Sequence, residues 1–305
     1  MTTSLPRPVI SAGPPPRRSR WKRLATASGI IGGLFFCWLI AVWPPPIWYR
    51  WFWPRQTAFM AMRRGQADSL ARHIERKGEA VDGALPRRYQ PVPLSAMATS
   101  LPQAVLIAED YRFFEHPGID YQAIRQALGY RRDAFEWGNA RDRAEMRRVL
   151  GQIWARREQI RGASTITQQL AKNLYLSPSR NPLRKVKEAV TAYRLEGALG
   201  KNRILELYLN VVEFGPEVWG VEAASHMYFS KSAGRLSADQ AAALAGTLPF
   251  PLRSNPGFRP GRMRWRQQLI LRRLAGDPIP MPTDPDSTDA RDPAAGDTTG
   301  TTTDR

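Results

Sequence analysis

The sequence predicts a mostly α-helical protein in which one apolar helix precedes a single helical domain. Residues 24–43 are apolar and carry no charge. Residues 94–274 are rich in Ala, Leu, Arg and Glu and show no sustained alternation of polar and apolar positions, which favours helices over strands. With 305 residues and 43% hydrophobic content, the chain can bury one sizeable core.

The elements follow one another in a simple order. From the N-terminus we predict a basic cytoplasmic arm (1–23), a transmembrane helix (24–43), a juxtamembrane stalk with a helix over 57–77 (44–93), the helical domain (94–275) and a disordered tail (276–305). As a helix, the apolar segment would be about 30 Å long, which matches a bilayer core. The tail has too few apolar residues to offset its ordering entropy.

The flanks of the apolar segment predict its orientation. Basic residues precede it and Trp and Tyr residues follow it, so the arm should stay in the cytoplasm and the remainder of the chain should face outward. A cleaved signal peptide is the alternative. Pro44, Pro45 and Pro46 stand where a small-residue cleavage site would be, which favours a retained anchor.

The charge balance indicates a polyanionic partner. Lys and Arg number 45 against 27 Asp and Glu, and the formal net charge is +18. Nucleic acid, anionic lipid head groups and pyrophosphates all fit this charge, which cannot choose among them. Cys37 is the only cysteine, so the chain forms no intramolecular disulfide and has no zinc-finger spacing.

Three blocks of residues carry chemical groups. The first begins with Glu109 and Asp110, at the end of a helix that we predict to start near Ser100. The second offers hydroxyl, amide and ammonium groups over 162–173, and the third is the charged run 184–188, where Lys185 and Glu188 share a helical face. Taken singly, each has a structural reading: a solvated cap, a helix capped by Ser164 or Thr165, and a charged surface.

Together, these blocks resemble the conserved motifs of the peptidoglycan glycosyltransferases, family 51 of the glycosyltransferases, and most closely their monofunctional members. Residues 204–210, 213–215 and 220–231 resemble the family's downstream blocks, so the resemblance covers residues 94–274. It implies a lysozyme-like fold and processive polymerisation of lipid II into β-1,4 glycan strands, with release of undecaprenyl diphosphate.

The resemblance also implies roles for individual residues. Glu109 matches the catalytic base and Glu188 the second functional carboxylate, while Arg184 and Lys185 match contacts to the diphosphate. The substrate-binding block matches Ser164, Thr167, Gln168, Gln169, Lys172 and Asn173. Asp110, Phe113, His116, Gly118 and Asp120 are expected to support the base structurally.

The resemblance further implies the partners of the chain. The chemistry requires no cofactor, although Glu188 could help to order its region through a divalent cation, Mg²⁺ or Mn²⁺. The implied partners are lipid II, the growing strand, the membrane and other cell-wall synthesis proteins, with no nucleic acid. The implied location is the cell inner membrane, with the catalytic domain in the periplasm.

The sequence departs from the family pattern in three places. Gly162-Ala163 replaces a common double glycine, and Gln240 stands where an acidic residue is frequent, at a position expected to be structural. Residues 131–161 form a long arginine-rich connection. We predict that this connection forms a basic helical flap over the donor site.

Two other functions compete with this interpretation. A lytic enzyme could use the same fold and glutamate, but a cleaved sugar does not need the cations of residues 184–185. A membrane-tethered nucleic-acid-binding protein would explain the charge of +18, but most basic residues belong to the outward-facing domain and no nucleic-acid motif is present. A penicillin-binding transpeptidase domain is excluded, since Lys-Thr-Gly is absent.

Overall fold

The computed structural model describes residues 18–76, 87–130, 136, 138–151, 164–176 and 182–277. The chain divides into two compact units, Met1–Ala41 and Val42–Arg305. Most of the predicted basic arm and tail, and parts of the arginine-rich connection, lie outside the described residues.

The first unit contains helix α1, Arg18–Ile40. It begins before Leu24, because the Arg and Lys residues that precede this position are good helix formers. It ends before the run of prolines that starts at Pro44, since a residue followed by proline avoids helical geometry. The large apolar side chains of its second half, such as Ile31 and Phe36, are exposed. Among the described residues, no helix has the length and apolar character that crossing a membrane requires.

The second unit is mostly helical, as predicted. Its helices are α2 Ala58–Arg76, α3 Ser100–Glu109, α4 Tyr121–Ala127, α5 Ala140–Gly151, α6 Ile166–Tyr175, α7 Pro182–Ala198, α8 Lys201–Val211, α9 Val221–Phe229, α10 Ala238–Thr247 and α11 Gly261–Leu274. Short 3₁₀ turns span Pro46–Arg50, Leu94–Ala96 and Ala233–Arg235. The helix predicted over 57–77 is α2, and Lys77 lies outside the described residues.

A small sheet, which the sequence does not predict, accompanies the helices. Its strands are β1 Arg88–Tyr89, β2 Glu213–Gly215 and β3 Val218–Trp219, in the order β1-β3-β2. The β1 and β3 strands are parallel, and β2 and β3 are antiparallel. Strands this short present no alternating pattern in the sequence.

The core of the second unit lies where α6 meets α7 and α8. Helix α8 begins after its N-cap residue, Gly200, and buries Ile204, Leu205, Leu207 and Tyr208. Helix α6 buries Ile166, Leu170 and Leu174 at helical spacing.

On another side of the core, α10 packs between α3 and α11. Helix α10 is rich in alanine, and Gly246 near its end meets α11 closely. A Cβ atom at position 246 would lie 2.9 Å from the backbone oxygen of Met263. The small side chains of α10 therefore let α11 approach α3, the helix that ends in Glu109. Gln240 is structural, as expected, because it completes the capping box of α10 with Ser237.

Candidate active site

Glu109 is the last residue of α3, and its carboxylate faces three other helices. The amide Nε2 of Gln169, on α6, donates to Glu109 Oε2 at 3.0 Å. The guanidinium of Arg266, on α11, lies 3.5 Å from Glu109 Oε1. The hydroxyl of Tyr208, on α8, donates to Gln169 Oε1 at 2.9 Å. The Glu109 side chain is 13% exposed, so the carboxylate is largely enclosed yet still reachable.

The surroundings of Glu109 act on its acidity in opposite directions. Burial raises the pKa of Glu109 above its ordinary value. The positive charge of Arg266 opposes this most strongly, followed by the hydrogen bond from Gln169 and the charge of Lys172. Because burial prevails, the carboxyl group holds a proton more tightly than an exposed glutamate does.

Asp110 joins the start of α6 to the end of α3. Its Oδ2 accepts from the backbone N–H of Ile166 at 2.9 Å, and its Oδ1 lies 3.0 Å from His116 Nε2. The N–H of Gly118 donates to His116 Nδ1 at 3.2 Å, so in the neutral ring the proton lies on Nε2 and is donated to Asp110. These contacts are what the expected supporting role of Asp110, His116 and Gly118 requires.

Gly118 has a geometry that a larger residue would not tolerate. Its φ is +94°, in the region that favours glycine. A Cβ atom there would lie 2.9 Å from Glu196 Cγ. The carbonyl of Gly118 also accepts from Thr165 Oγ1 at 2.6 Å, which fixes the residue that caps α6.

Helix α6 begins at a capping box formed by Thr165 and Gln168, so the capped-helix reading of the second block is correct for Thr165. This cap sets the direction in which α6 presents Gln169 and Lys172. The cap uses Thr165 and Gln168, so the same helix can also present Gln169 and Lys172 to the site.

A cluster of cations surrounds Glu188 on α7. Glu188 is 3% exposed, accepts from Arg184 Nη1 at 2.9 Å and forms a second ion pair with Lys185. Lys185 Nζ also donates to Ser164 Oγ at 2.8 Å, which ties the third block to the second. The Lys185 side chain is 48% exposed. The cluster therefore holds two cations in place while leaving Lys185 accessible.

Lys172 connects the two carboxylates electrostatically. Burial lowers the pKa of Lys172 below its ordinary value. Glu188 and, more weakly, Glu109 act in the opposite direction and favour the charged ammonium. The predicted base and the predicted diphosphate-binding cluster thus act on one lysine of α6.

Three predicted substrate-binding residues face the interior instead. Thr167, Gln168 and Asn173 are buried. Thr167 Oγ1 donates to Glu196 at 2.6 Å, and Gln168 is engaged in the helix cap. In this structure they support α6 from inside, and their assignment as substrate contacts stays a prediction. Gln169 contacts Glu109, Arg184 and Lys185 contact Glu188, and Ser164 contacts Lys185. Lys172 interacts electrostatically with both glutamates.

Sequence reasoning missed two residues of the site. Arg266 was not singled out, and Tyr208 was included only in the block 204–210, without a role of its own. The available signal for Arg266 was weak, because it lies among four other arginines of α11, on a helix far along the chain from Glu109. Its burial distinguishes it, and burial is a property of the folded chain.

One group of described residues has metal-ligand geometry. The ligand atoms of Asp110, His116 and Asp120 lie within 4.8 Å of one another. Asp110 and His116 are engaged as described above, and Asp120 is bonded by Arg112 and by the N–H of Ala123. Around Glu188, the described neighbours are cations, which do not supply the oxygen ligands of Mg²⁺ or Mn²⁺. The prediction of a cation at Glu188 remains untested.

Known proteins resemble this chain over most of its length. The family model described as Transglycosylase matches residues 77–275. The biosynthetic peptidoglycan transglycosylase of Bordetella pertussis is 39% identical over 271 residues, which cover 88% of this chain and 99% of the relative. The proteins with this name from Neisseria gonorrhoeae and Thiobacillus denitrificans are 36% and 35% identical, over 81% and 85% of this chain and 92% and 97% of their own lengths.

These matches, together with the helical fold and a carboxylate set beside a cationic helix, define the chain as a glycosyltransferase. Within that class, it belongs to the Transglycosylase family. The resemblance inferred from the sequence motifs is therefore confirmed at the level of the family.

Proposed function

We propose that this chain polymerises lipid II into the glycan strands of bacterial peptidoglycan, as part of cell-wall synthesis. The observation that carries the proposal is that residues 164–169 contact both parts of the site: Gln169 donates to Glu109, and Ser164 accepts from Lys185, which pairs with Glu188. A base for the acceptor and cations for a departing diphosphate are thus held against one short segment of the chain. The names of the relatives support this function.

Glu109 is the general base in this proposal. It takes the proton of the acceptor sugar's 4-hydroxyl, whose oxygen attacks the anomeric carbon of the growing strand. The bond from that carbon to the diphosphate oxygen breaks, undecaprenyl diphosphate leaves, and the α configuration inverts to β. The raised pKa of Glu109 supports the assignment, because a general base is most effective when its pKa lies near the working pH.

The cations stabilise the leaving group. Negative charge accumulates on the diphosphate as the sugar bond breaks, so positive groups held in place bind the transition state more strongly than the ground state. Arg184 and Lys185 supply this charge from α7, and Lys172 supplies it from α6. Glu188 keeps Arg184 and Lys185 in position through its two ion pairs.

Glu109→Gln tests the role of the base. The substitution preserves shape and removes proton acceptance, so polymerisation of labelled lipid II should fall by roughly 10² to 10⁴-fold. Glu115→Gln, which changes an exposed glutamate nearby, is the matched control and should retain activity. Substantial polymerisation by Glu109→Gln would contradict the assignment.

The wild-type protein also discriminates between synthesis and lysis. Incubated with labelled lipid II, it should produce a ladder of polymers. Incubated with isolated glycan strands, it should leave their length unchanged. Shortened strands without a ladder would support the lytic alternative and overturn the proposed function.

The proposal places the enzyme at the cell inner membrane, with the catalytic domain on the periplasmic side and α1 as the attachment. The exposed apolar side chains of α1, including Leu24, Ile30 and Leu34, support this. A lipid-linked substrate also requires the enzyme to work at a bilayer surface. Cell fractionation tests the attachment, and protease treatment of spheroplasts should digest the domain if it faces outward. A chain recovered without membranes would contradict this location.

A further inference from the structure

Arg266 is a buried cation that faces Glu109 from α11. Its side chain is 3% exposed. Its Nη2 lies 3.5 Å from Glu109 Oε1 and donates to the backbone oxygen of Ala108 at 3.3 Å. A buried guanidinium carries a large desolvation penalty that a facing carboxylate offsets. The burial of this charge at the end of α3 therefore needs a structural or functional explanation.

The packing of α10 and α11 delivers Arg266 to this position. A Cβ atom at Gly246 would lie 3.5 Å from Arg266 Cβ and 2.9 Å from the backbone oxygen of Met263. Glycine at 246 therefore allows α11 to come close enough for Arg266 to reach the end of α3. The arginine is too enclosed to contact a substrate itself.

Gln169 and Arg266 approach the carboxylate of Glu109 from different helices. Gln169 donates to Oε2, while Arg266 lies beside Oε1. The hydrogen bond to Ala108 fixes the guanidinium relative to the backbone of α3. Both oxygens of the carboxylate are thus oriented by the protein.

We propose that Arg266 is a positioning residue for this reaction, which holds the Glu109 carboxylate in one orientation and provides a fixed positive charge beside it. The proposal rests on the proposed role of Glu109 as the base. It adds α11 to the parts of the fold on which the reaction depends.

The other charged groups near Glu109 cannot replace this charge. Lys172 acts on Glu109 more weakly than Arg266, and the charge of Asp110 acts in the opposite direction. Tyr208, on α8, is neutral because burial and the charge of Glu109 raise its pKa well above the ordinary value. Asp239 is the only titratable residue of α10, and Gln267 binds it at the surface.

The pH dependence of kcat/KM tests the proposal. The acid limb of this profile reports the ionisation of the base in the free enzyme. Without the charge of Arg266, burial acts on Glu109 with less opposition, so Glu109 should lose its proton only at higher pH. In Arg266→Met, the acid limb of lipid II polymerisation should therefore move upward by about one pH unit or more.

Two further variants separate charge from structure. Arg266→Lys keeps the charge and should show a smaller movement of the acid limb than Arg266→Met. Arg264→Met makes the same change at an exposed position of α11 and should leave the profile unchanged. Arg266→Gln retains a donor for Ala108, loses the charge, and serves the same comparison if the Met variant does not fold.

The outcomes are distinguishable. If wild-type protein lacks polymerising activity, or its profile lacks an acid limb that Glu109→Gln abolishes, the proposed function fails. If the wild-type limb is present and the Arg266→Met or Arg266→Gln limb coincides with it, the role of Arg266 is overturned. Failure of both variants to fold would also overturn it, because Arg266 would then be a folding residue.

Discussion

The orientation of the Gln169 amide is fixed by neighbours on both sides. Its Nε2 donates to Glu109, and its Oε1 accepts from Tyr208. If the amide turned over, its oxygen would face the carboxylate and repel it. Tyr208 therefore acts on the base through Gln169, although its own side chain is fully buried.

Tyr208→Phe should lower kcat for lipid II polymerisation by roughly fivefold, because one net hydrogen bond is worth about 1 kcal/mol. The fold should persist, since the ring stays in place. Tyr175→Phe, a second tyrosine that packs against the same core, is the control. The Tyr175 hydroxyl is buried without a hydrogen-bond partner among the described residues, so its loss should leave kcat unchanged. Equal rates for wild type and Tyr208→Phe would contradict this prediction.

The raised pKa of Glu109 also predicts how stability depends on pH. A carboxyl group whose pKa is higher in the folded state binds its proton more tightly there, so the free energy of unfolding falls as pH rises from the unfolded-state pKa to the folded-state pKa. Glu109→Gln removes this term. As pH rises above about 4, the ordinary pKa of glutamate, the variant should therefore lose less stability, or gain more, than wild type.

Urea denaturation of both proteins across this range measures the effect. Glu115→Gln is again the control, because its carboxylate is exposed. Parallel stability curves for wild type and Glu109→Gln would mean that Glu109 has similar pKa values in the folded and unfolded chain.

At the level of residues, the sequence predicted neighbours along one helix better than it predicted contacts between distant parts of the chain. The run from Arg184 to Glu188 shares a face because of helical periodicity, and the structure forms ion pairs from it. Arg266 lies more than 150 positions from Glu109, and no periodicity links them. Only packing of α11 against α3 creates that contact.

Glu188 of α7 is a buried carboxylate with cations on two helices around it. Glu188 pairs with Arg184 and Lys185, and it is the carboxylate that most strongly favours the charged form of Lys172. Removing its charge therefore affects residues on two helices.

Glu188→Gln should weaken polymerisation and move the alkaline limb of the pH profile to lower pH. Burial already lowers the pKa of Lys172, and loss of the Glu188 charge lowers it further, so Lys172 loses its proton earlier as pH rises. The measurement is kcat/KM for lipid II against pH, with Glu115→Gln as control. An alkaline limb that does not move would show that protonated Lys172 is not required.

The helices were predictable because local signals mark them. Gly200 separates α7 from α8, and Thr165 with Gln168 begins α6. The strands were not predictable, since each has two or three residues and depends on pairing across the chain, as between Arg88 and Val218. The arginine-rich connection is helical in its described part, α5, and its predicted position over the donor site stays a prediction.

The net charge of the whole chain has a consequence for binding to lipid. Residues 1–41 contain six basic residues and no acidic ones. The rest of the chain therefore carries most of the formal net charge of +18. The second unit, Val42–Arg305, should therefore bind vesicles of anionic phospholipid even without α1.

Cosedimentation of that fragment with vesicles measures this binding. It should be strong at about 0.05 M salt and weak at about 0.5 M, because salt screens exposed charges. Vesicles of neutral lipid should bind little at either concentration. Binding that does not depend on salt would indicate apolar insertion instead. Circular dichroism of the fragment checks that it is folded.

The spacing of Gln169 and Lys172 on α6 makes this helix sensitive to insertions and deletions. They are three positions apart, which places them on neighbouring positions of the same face. Substitutions can leave that spacing intact, whereas one residue inserted between them would rotate the following side chains about the helix axis by about 100°. Among related sequences, we therefore expect insertions and deletions in connections such as residues 131–161 and not within α6.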